Sequence, residues 1–270
     1  MVRSRESRVS PRGRHFSGPS PPASWRSRST ASPRRGIARS ERPGRIGPRA
    51  RLLLGAAGCL GLTLVLALVV GLSPSPPALD RDTARWVHDN RIDALDPAWR
   101  TAALLGGSAA LGALVLMIGA IAWRRLGPRW LTFLVGAFAG TQALFWSMKL
   151  VVDRPRPPLS PQLATVASPS FPSGHTAIAA AVGASLLVVA AQTTRTLPRR
   201  AAFAALVALP LIVGLSRLAL GVHWLTDVVG GALLGFGWVL AWAALVAPSR
   251  SQASRIGGEW PVRPFADTRR

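Results

Sequence analysis

The sequence predicts an all-α membrane protein: a bundle of six transmembrane helices preceded by a disordered basic tail. Of its 270 residues, 49% are apolar, and mean hydropathy is +0.28. Between residues 51 and 247, charged residues occur mainly in short clusters that separate apolar runs. Each run has roughly 20 residues, enough to cross ~30 Å of hydrocarbon at 1.5 Å per residue. We therefore expect one membrane domain over residues 51–247.

The N-terminal segment, residues 1–50, differs from the rest in composition. It is rich in Arg, Ser, Pro and Gly and has almost no aliphatic clusters, so it cannot bury enough apolar surface to offset the entropy of ordering. We predict a disordered tail. The formal net charge of +22 lies mostly here, in short loops and in a C-terminal tail, residues 248–270. Basic segments that flank apolar spans fit anionic lipid headgroups, so we expect membrane lipids as partners and no nucleic acid.

Six apolar runs follow the tail. The first is too long for the core of a secretory signal and is followed by Ser-Pro-Ser-Pro-Pro, so we expect it to remain as an anchor. Pro210 interrupts the fifth run, and membranes tolerate a proline kink when neighbouring groups satisfy the freed carbonyl. The predicted spans are residues 52–72, 101–123, 130–152, 175–192, 201–216 and 224–246.

The charges of the loops predict the orientation of the spans. Arginines occupy the connection between spans two and three, the connection between spans four and five, and both tails, which makes these segments cytoplasmic by the positive-inside rule. The loop 73–100 is nearly neutral, as an outer loop should be. In this loop Leu79, Trp86, Val87, Ile92 and Leu95 recur at loosely helical spacing. Either a short interfacial helix or a solvated connector fits this pattern.

Three polar motifs lie where spans meet the outer face. The first runs from Lys149, the only lysine among 33 basic residues, to Arg156 and Pro157 at the end of span three. The second, Pro172-Ser173-Gly174-His175, opens span four, and the third, from Ser216-Arg217 to His223 and Asp227, joins spans five and six. So many ionisable groups at one membrane face would be costly without a polyanion or water to solvate them.

These residue types suit phosphoryl transfer, in which catalysis is largely positioning and charge stabilisation. Lys149 offers a compact point charge, while Arg156 and Arg217 offer planar forks that each engage two oxygens. Ser173 and Gly174 precede a helix whose first N–H groups lack internal partners, a natural cradle for an anion.

The two histidines have different predicted roles. Asp227 follows His223 by four residues, so in a helix its carboxylate would lie one turn from the imidazole and fix the tautomer of an attacking nucleophile. His175 has no such partner in the sequence and suits the general acid that protonates the departing oxygen.

The three motifs together resemble the signature of the type-2 phosphatidic acid phosphatase superfamily, the lipid phosphate phosphatases. The resemblance covers about residues 52–247 and departs from the signature at none of its positions. It implies a six-helix membrane bundle, metal-independent hydrolysis of lipid phosphates or pyrophosphates, and a phosphohistidine intermediate. Carried over residue by residue, it implies His223 as nucleophile, Asp227 as its orienter, His175 as acid, and phosphate binding by Lys149, Arg156, Ser173, Gly174 and Arg217. Soluble haloperoxidases and acid phosphatases share similar signatures, but six spans argue against a soluble relative.

We therefore expect a membrane phosphatase that acts on a lipid phosphate monoester or polyprenyl pyrophosphate at the outer leaflet, with no metal and no cofactor. A phosphotransferase with the same intermediate is the alternative. A lipid-headgroup binder or transporter is a third hypothesis, and it has no use for a nucleophilic His223. Both termini should be cytoplasmic, with the active site at the extracytoplasmic face of the cell membrane.

Overall fold

The computed structural model describes residues 46–158, 166–193 and 199–246. Within these ranges all regular structure is helical, as predicted. In chain order the helices are α1 (Pro48–Leu72), α2 (Ala78–Asp89), a short 3-10 helix (Asp93–Leu95), α3 (Asp96–Leu105), α4 (Ser108–Leu126), α5 (Pro128–Val152), α6 (Gly174–Thr193), α7 (Arg199–Ala219) and α8 (Leu225–Val246).

Four helices, α1, α4, α5 and α8, are long and apolar enough to span a membrane. The apolar stretches of α6 and α7 are shorter, Gly174–Ala190 and Leu206–Ala219. Leucines of α1 such as Leu54 and Leu68 are exposed, so the outward face of the bundle is suited to hydrocarbon rather than water.

Helix α6 lies at the centre of the bundle, where it packs against α4, α5, α7 and α8. Small residues allow its closest approach, which is to α8. Gly231 and Gly235 face the carbonyl oxygens of Ser173 and Ala177, and a Cβ at either glycine would collide with that backbone. This contact places the N-terminus of α6 beside the N-terminus of α8, where the second and third motifs meet.

The prediction of one continuous second span over residues 101–123 was wrong. The structure contains two helices there, α3 and α4, separated at Gly106 and Gly107. A Cβ at Gly106 would lie 2.5 Å from a methyl carbon of Val213 on α7, so a glycine is needed for α3 to pack against α7. The apolar composition continues across the break, which is why hydropathy alone could not locate it.

Two other boundaries differ from the prediction. Helix α1 begins at Pro48, so residues 48–50, assigned to the tail, are helical; proline is favoured in the first turn because the N–H that it lacks has no partner there. In the loop 73–100 the structure has α2, the 3-10 helix and the start of α3, which favours the short-helix alternative over a plain connector. The predictions for residues 1–45 and for the tail 248–270 fall outside the described residues.

Candidate active site

The predicted site residues lie at one end of the bundle because four helices begin or end there. Lys149 is in the last turn of α5, Gly174 and His175 begin α6, Arg217 lies near the end of α7, and Asp227 is in the first turn of α8. His175 lies within electrostatic range of Lys149, Arg156, Arg217 and His223. The structure thus brings together side chains from all three motifs.

His223 and Asp227 are in contact, but not through one turn of a helix. His223 lies in the turn before α8, which begins at Leu225. The carboxylate reaches back over this turn: Asp227 Oδ2 accepts from the backbone N–H of Trp224 at 2.8 Å and lies 3.3 Å from Nδ1 of His223. Ser170 Oγ donates to the same oxygen. The four-residue spacing from His223 to Asp227 therefore corresponds to a turn that caps α8, and this turn fixes the positions of both side chains.

Because Nδ1 of His223 contacts Asp227, the other ring nitrogen, Nε2, does not contact the carboxylate. If Nδ1 carries the proton that Asp227 accepts, Nε2 presents a lone pair, and Nη1 of Arg156 lies 3.3 Å from Nε2. Burial lowers the pKa of His223 to about 4, although Asp227 favours the charged form. At neutral pH the imidazole is thus uncharged, the state that a nucleophile requires.

Arg156 and Lys149 both bind the chain that precedes α6. Arg156 donates to Ser168 O at 2.8 Å and to Val222 O at 2.5 Å, which ties this segment to the turn that carries His223. Lys149 Nζ donates to the carbonyls of Pro169 and Ser170. Burial lowers the pKa of the Arg156 guanidinium. Each cation thus has backbone partners here, and direct contact with a phosphate stays a prediction for both.

Arg217 is different, because the structure leaves part of its guanidinium without a partner. The side chain is buried, and Nε has no hydrogen-bond partner among the described residues. A buried donor of this kind is costly unless it binds something. Arg217 lies within electrostatic range of His175 and His223, so an anion bound beside these histidines is a candidate partner.

The N-terminus of α6 completes the predicted site. Ser173 N–H donates to the carbonyl of Asp227 at 2.9 Å, and a Cβ at Gly174 would lie 2.8 Å from the ring of Phe145, so both positions are also fixed by packing. His175 is partly exposed. Its Nε2 lies 3.6 Å from where a Cβ at Gly107 would stand, so the junction between α3 and α4 borders the predicted general acid.

Three residues of this region were missed by sequence reasoning: Asp80, Arg154 and Ser170. Arg154 is two positions before Arg156 and bridges Asp227 to Asp80 of α2. Arg154 lies inside the first motif, so the sequence could have indicated that it belongs to the site. Asp80 is one of five aspartates in the loop 73–100, and nothing in the sequence separates it from the other four.

Comparison with known proteins identifies the family. The family model of the PAP2 superfamily matches residues 129–251. Phosphatidylglycerophosphatase B of Bacillus subtilis (strain 168) is 31% identical over 169 residues, 55% of this chain and 82% of that protein. The chain belongs to the PAP2 superfamily. The membership confirms the resemblance drawn from the three motifs.

Two solved structures resemble the fold. One is the transmembrane PAP2-type phosphatidylglycerolphosphate phosphatase from Bacillus subtilis, with a TM-score of 0.62 and 26% identity, covering 76% of this chain and 99% of that one. The other is Aquifex aeolicus LpxE, with a TM-score of 0.50 and 25% identity, covering 64% and 98%. The chain is thus an integral membrane protein of the PAP2 lipid phosphatase type with several transmembrane helices.

Proposed function

We propose that this PAP2 member hydrolyses a lipid phosphate monoester or polyprenyl pyrophosphate through a phosphohistidine at His223. The observation that carries the proposal is the state of that imidazole. It is buried and uncharged at neutral pH, with Nδ1 turned to Asp227 and Nε2 turned towards Arg156. A neutral nucleophile held by a carboxylate and facing cations suits attack on an anionic phosphorus centre.

The proposed reaction has two steps. In the first, Nε2 of His223 attacks phosphorus, the bond from phosphorus to the leaving oxygen breaks, and His175 gives that oxygen a proton. Asp227 meanwhile stabilises the positive charge that forms on the ring. In the second, water attacks phosphorus, the bond from phosphorus to Nε2 of His223 breaks, and His175 takes a proton from the water. Inorganic phosphate leaves, which returns both histidines to their starting states.

The proposed phosphate binders are Lys149, Arg156, Arg217, Ser173 and Gly174. Nε of Arg217 has no hydrogen-bond partner in the part of the chain that the structure describes, and this supports its role most directly. The first backbone N–H groups of α6, after Ser173 and Gly174, add donors where the helix dipole favours negative charge. The cations already supply charge of the kind that a metal would bring, so we expect turnover to persist in EDTA. Among the described residues, no group of three His, Cys, Asp or Glu side chains could hold a metal ion.

For the membrane we propose six crossings, by α1, α4, α5, α6, α7 and α8, with both termini in the cytoplasm. The arginines at the end of α4 and the start of α7 support this orientation, because both lie at the end of the bundle opposite His223. The site would then face the extracytoplasmic side. We further propose that the membrane domain extends to residue 247 and that the basic segments before and after it lie in the cytoplasm.

Phosphatidylglycerophosphate is the first candidate substrate, because a relative that shares 31% identity is named for it. Purified protein should be assayed for phosphate release from phosphatidylglycerophosphate, phosphatidate and undecaprenyl pyrophosphate, without an added acceptor alcohol. Release of phosphate supports a hydrolase, whereas turnover that requires an acceptor identifies a phosphotransferase. Saturable binding without turnover would indicate a headgroup binder.

The nucleophile is tested by quenched turnover with substrate labelled in the phosphoryl group. We expect an acid-labile, base-stable label on the wild-type protein and none on His223→Ala. His88→Ala is the matched control, because His88 is an exposed histidine of α2, and it should label normally. A label that survives in His223→Ala, or one found on serine, would refute the assignment.

A further inference from the structure

Asp80 is a fully buried carboxylate that the proposed reaction does not use. It lies in the first turn of α2, outside the three motifs, and is 0% exposed. Asp80 Oδ1 accepts the backbone N–H of Thr226 at 2.9 Å, and Oδ2 accepts the Thr226 hydroxyl at 2.6 Å. A residue far away in the sequence thus binds the start of α8, one position before Asp227.

Arg154 connects this carboxylate to Asp227. Its Nη2 is 2.7 Å from Asp80 Oδ2, and its Nη1 is 2.5 Å from Asp227 Oδ1. Arg154 is 4% exposed, and its guanidinium carbon lies 5.4 Å from the ring centroid of Trp224, which packs against one face of the group. One buried cation therefore lies between two buried carboxylates, only one of which touches His223.

Of the three charged groups in this row, Asp227 alone contacts the proposed nucleophile, and Arg154 acts on Asp227. Alone, Arg154 would neutralise Asp227 and weaken its hold on the Nδ1 proton of His223. Asp80 supplies the second negative charge, so the three groups together carry a formal charge of −1. That matters because the other charged groups near His223 are cations, chiefly Arg156 and Arg217, which oppose the positive charge that forms on the attacking imidazole.

We propose that Asp80 and Arg154 are positioning residues for the phosphoryl-transfer step: Asp80 balances Arg154, and Arg154 orients Asp227 against His223. The inference rests on the proposed function of His223. It also gives α2 a role, because Thr83, Ala84 and Val87 of this helix line a small cavity that His223 borders. Helix α2 thus borders the same cavity as the nucleophile and carries the carboxylate that balances Arg154.

The test compares Asp80→Asn, Arg154→Lys and the double variant Asp80→Asn/Arg154→Gln with the wild-type protein. The matched control is Asp82→Asn, the same change two positions along α2 at an exposed carboxylate. The burst of phosphohistidine is measured by rapid quench, together with kcat and KM. Loss of one charge-assisted contact corresponds to a factor of about 10 to 150, so Asp80→Asn should slow the burst by that factor with KM changed by less than about threefold.

Recovery of the burst rate in the double variant distinguishes a role of Asp80 in balancing the charge of Arg154 from a purely structural salt bridge. The double variant restores the formal charge of −1 but loses the Arg154 fork, so it should recover part of the rate that Asp80→Asn loses and stay about as slow as Arg154→Lys. Arg154→Lys keeps the charge but loses the fork that spans both carboxylates, so it should slow the burst several-fold. A double variant as slow as Asp80→Asn, an Arg154→Lys burst equal to wild type, or an Asp80→Asn burst equal to Asp82→Asn would overturn the proposal.

A second readout does not depend on turnover. The chain has four histidines, so selective ¹⁵N-histidine labelling can resolve the Nδ1–H resonance of His223, assigned by its loss in His223→Ala. In Asp80→Asn this proton should move upfield as its bond to Asp227 weakens, and in the double variant it should return part of the way. An unchanged resonance refutes the positioning role. Absence of a phosphohistidine in the wild-type protein instead refutes the proposed function, so the two failures are distinguishable.

Discussion

Lys149→Arg is expected to slow turnover although it keeps the positive charge. Lys149 is 3% exposed, and its ammonium donates to the carbonyl oxygens of Pro169 and Ser170. An ammonium has three donors in a tetrahedral arrangement, so one remains for a phosphate oxygen. A guanidinium is broader and presents its donors in one plane, so it cannot repeat all three contacts in the same buried space.

The expected size of the effect follows from the contacts that each variant loses. A hydrogen bond to a charged group contributes about 1.5–3 kcal/mol, a factor of about 10 to 150 in rate. Lys149→Arg should lose one contact and lower kcat/KM by about that factor. Lys149→Met loses all three contacts and leaves two buried carbonyls without this donor, so it should be slower than Lys149→Arg by at least about another tenfold.

The assay is phosphate release by purified protein with the best substrate of the panel, alongside the midpoint of thermal unfolding. Arg125→Lys, the reverse exchange at an exposed position near the end of α4, is the control and should leave kcat/KM unchanged. If Lys149→Arg turns over at close to the wild-type rate, the compact ammonium is not needed, and the reasoning from the single lysine is wrong.

Three further predictions concern other parts of the chain. Gly107→Val should lower kcat at least about tenfold by crowding Nε2 of His175, whereas Gly61→Val, in open space on α1, should not; equal rates would place the leaving group elsewhere. Because burial lowers the pKa of His223 to about 4, the acid limb of kcat/KM should lie near pH 4 rather than 6.5, after correction for ionisation of the substrate phosphate near pH ~6. A limb that stays above pH ~6 would contradict this. Deleting residues 1–45, which keeps α1 whole, should leave turnover per inserted molecule unchanged; a large loss would show that the tail acts at the site.

The helical class of the fold and most helix positions were predictable because hydrocarbon imposes a simple requirement. A segment that crosses it must satisfy its own backbone groups and present an apolar surface, and both demands are visible in composition. The break at Gly106 and Gly107 was not predictable, because it depends on Val213 of another helix rather than on any local signal. The same holds for the turn that joins His223 to Asp227, where the spacing was informative but the local structure was not a helix.

By itself, the sequence determined that residues of the three motifs meet at one end of the bundle. Three short motifs occur at the ends of apolar runs, and the alternating direction of the runs brings those ends together. Only the tertiary structure decided how the residues are connected: that Lys149 and Arg156 hold the chain before α6, that Arg217 keeps an unpartnered donor, and that Asp80 reaches Asp227 through Arg154. The physical reason is that topology follows from local hydropathy, whereas the pairing of buried charges depends on distances between helices that are far apart in the sequence.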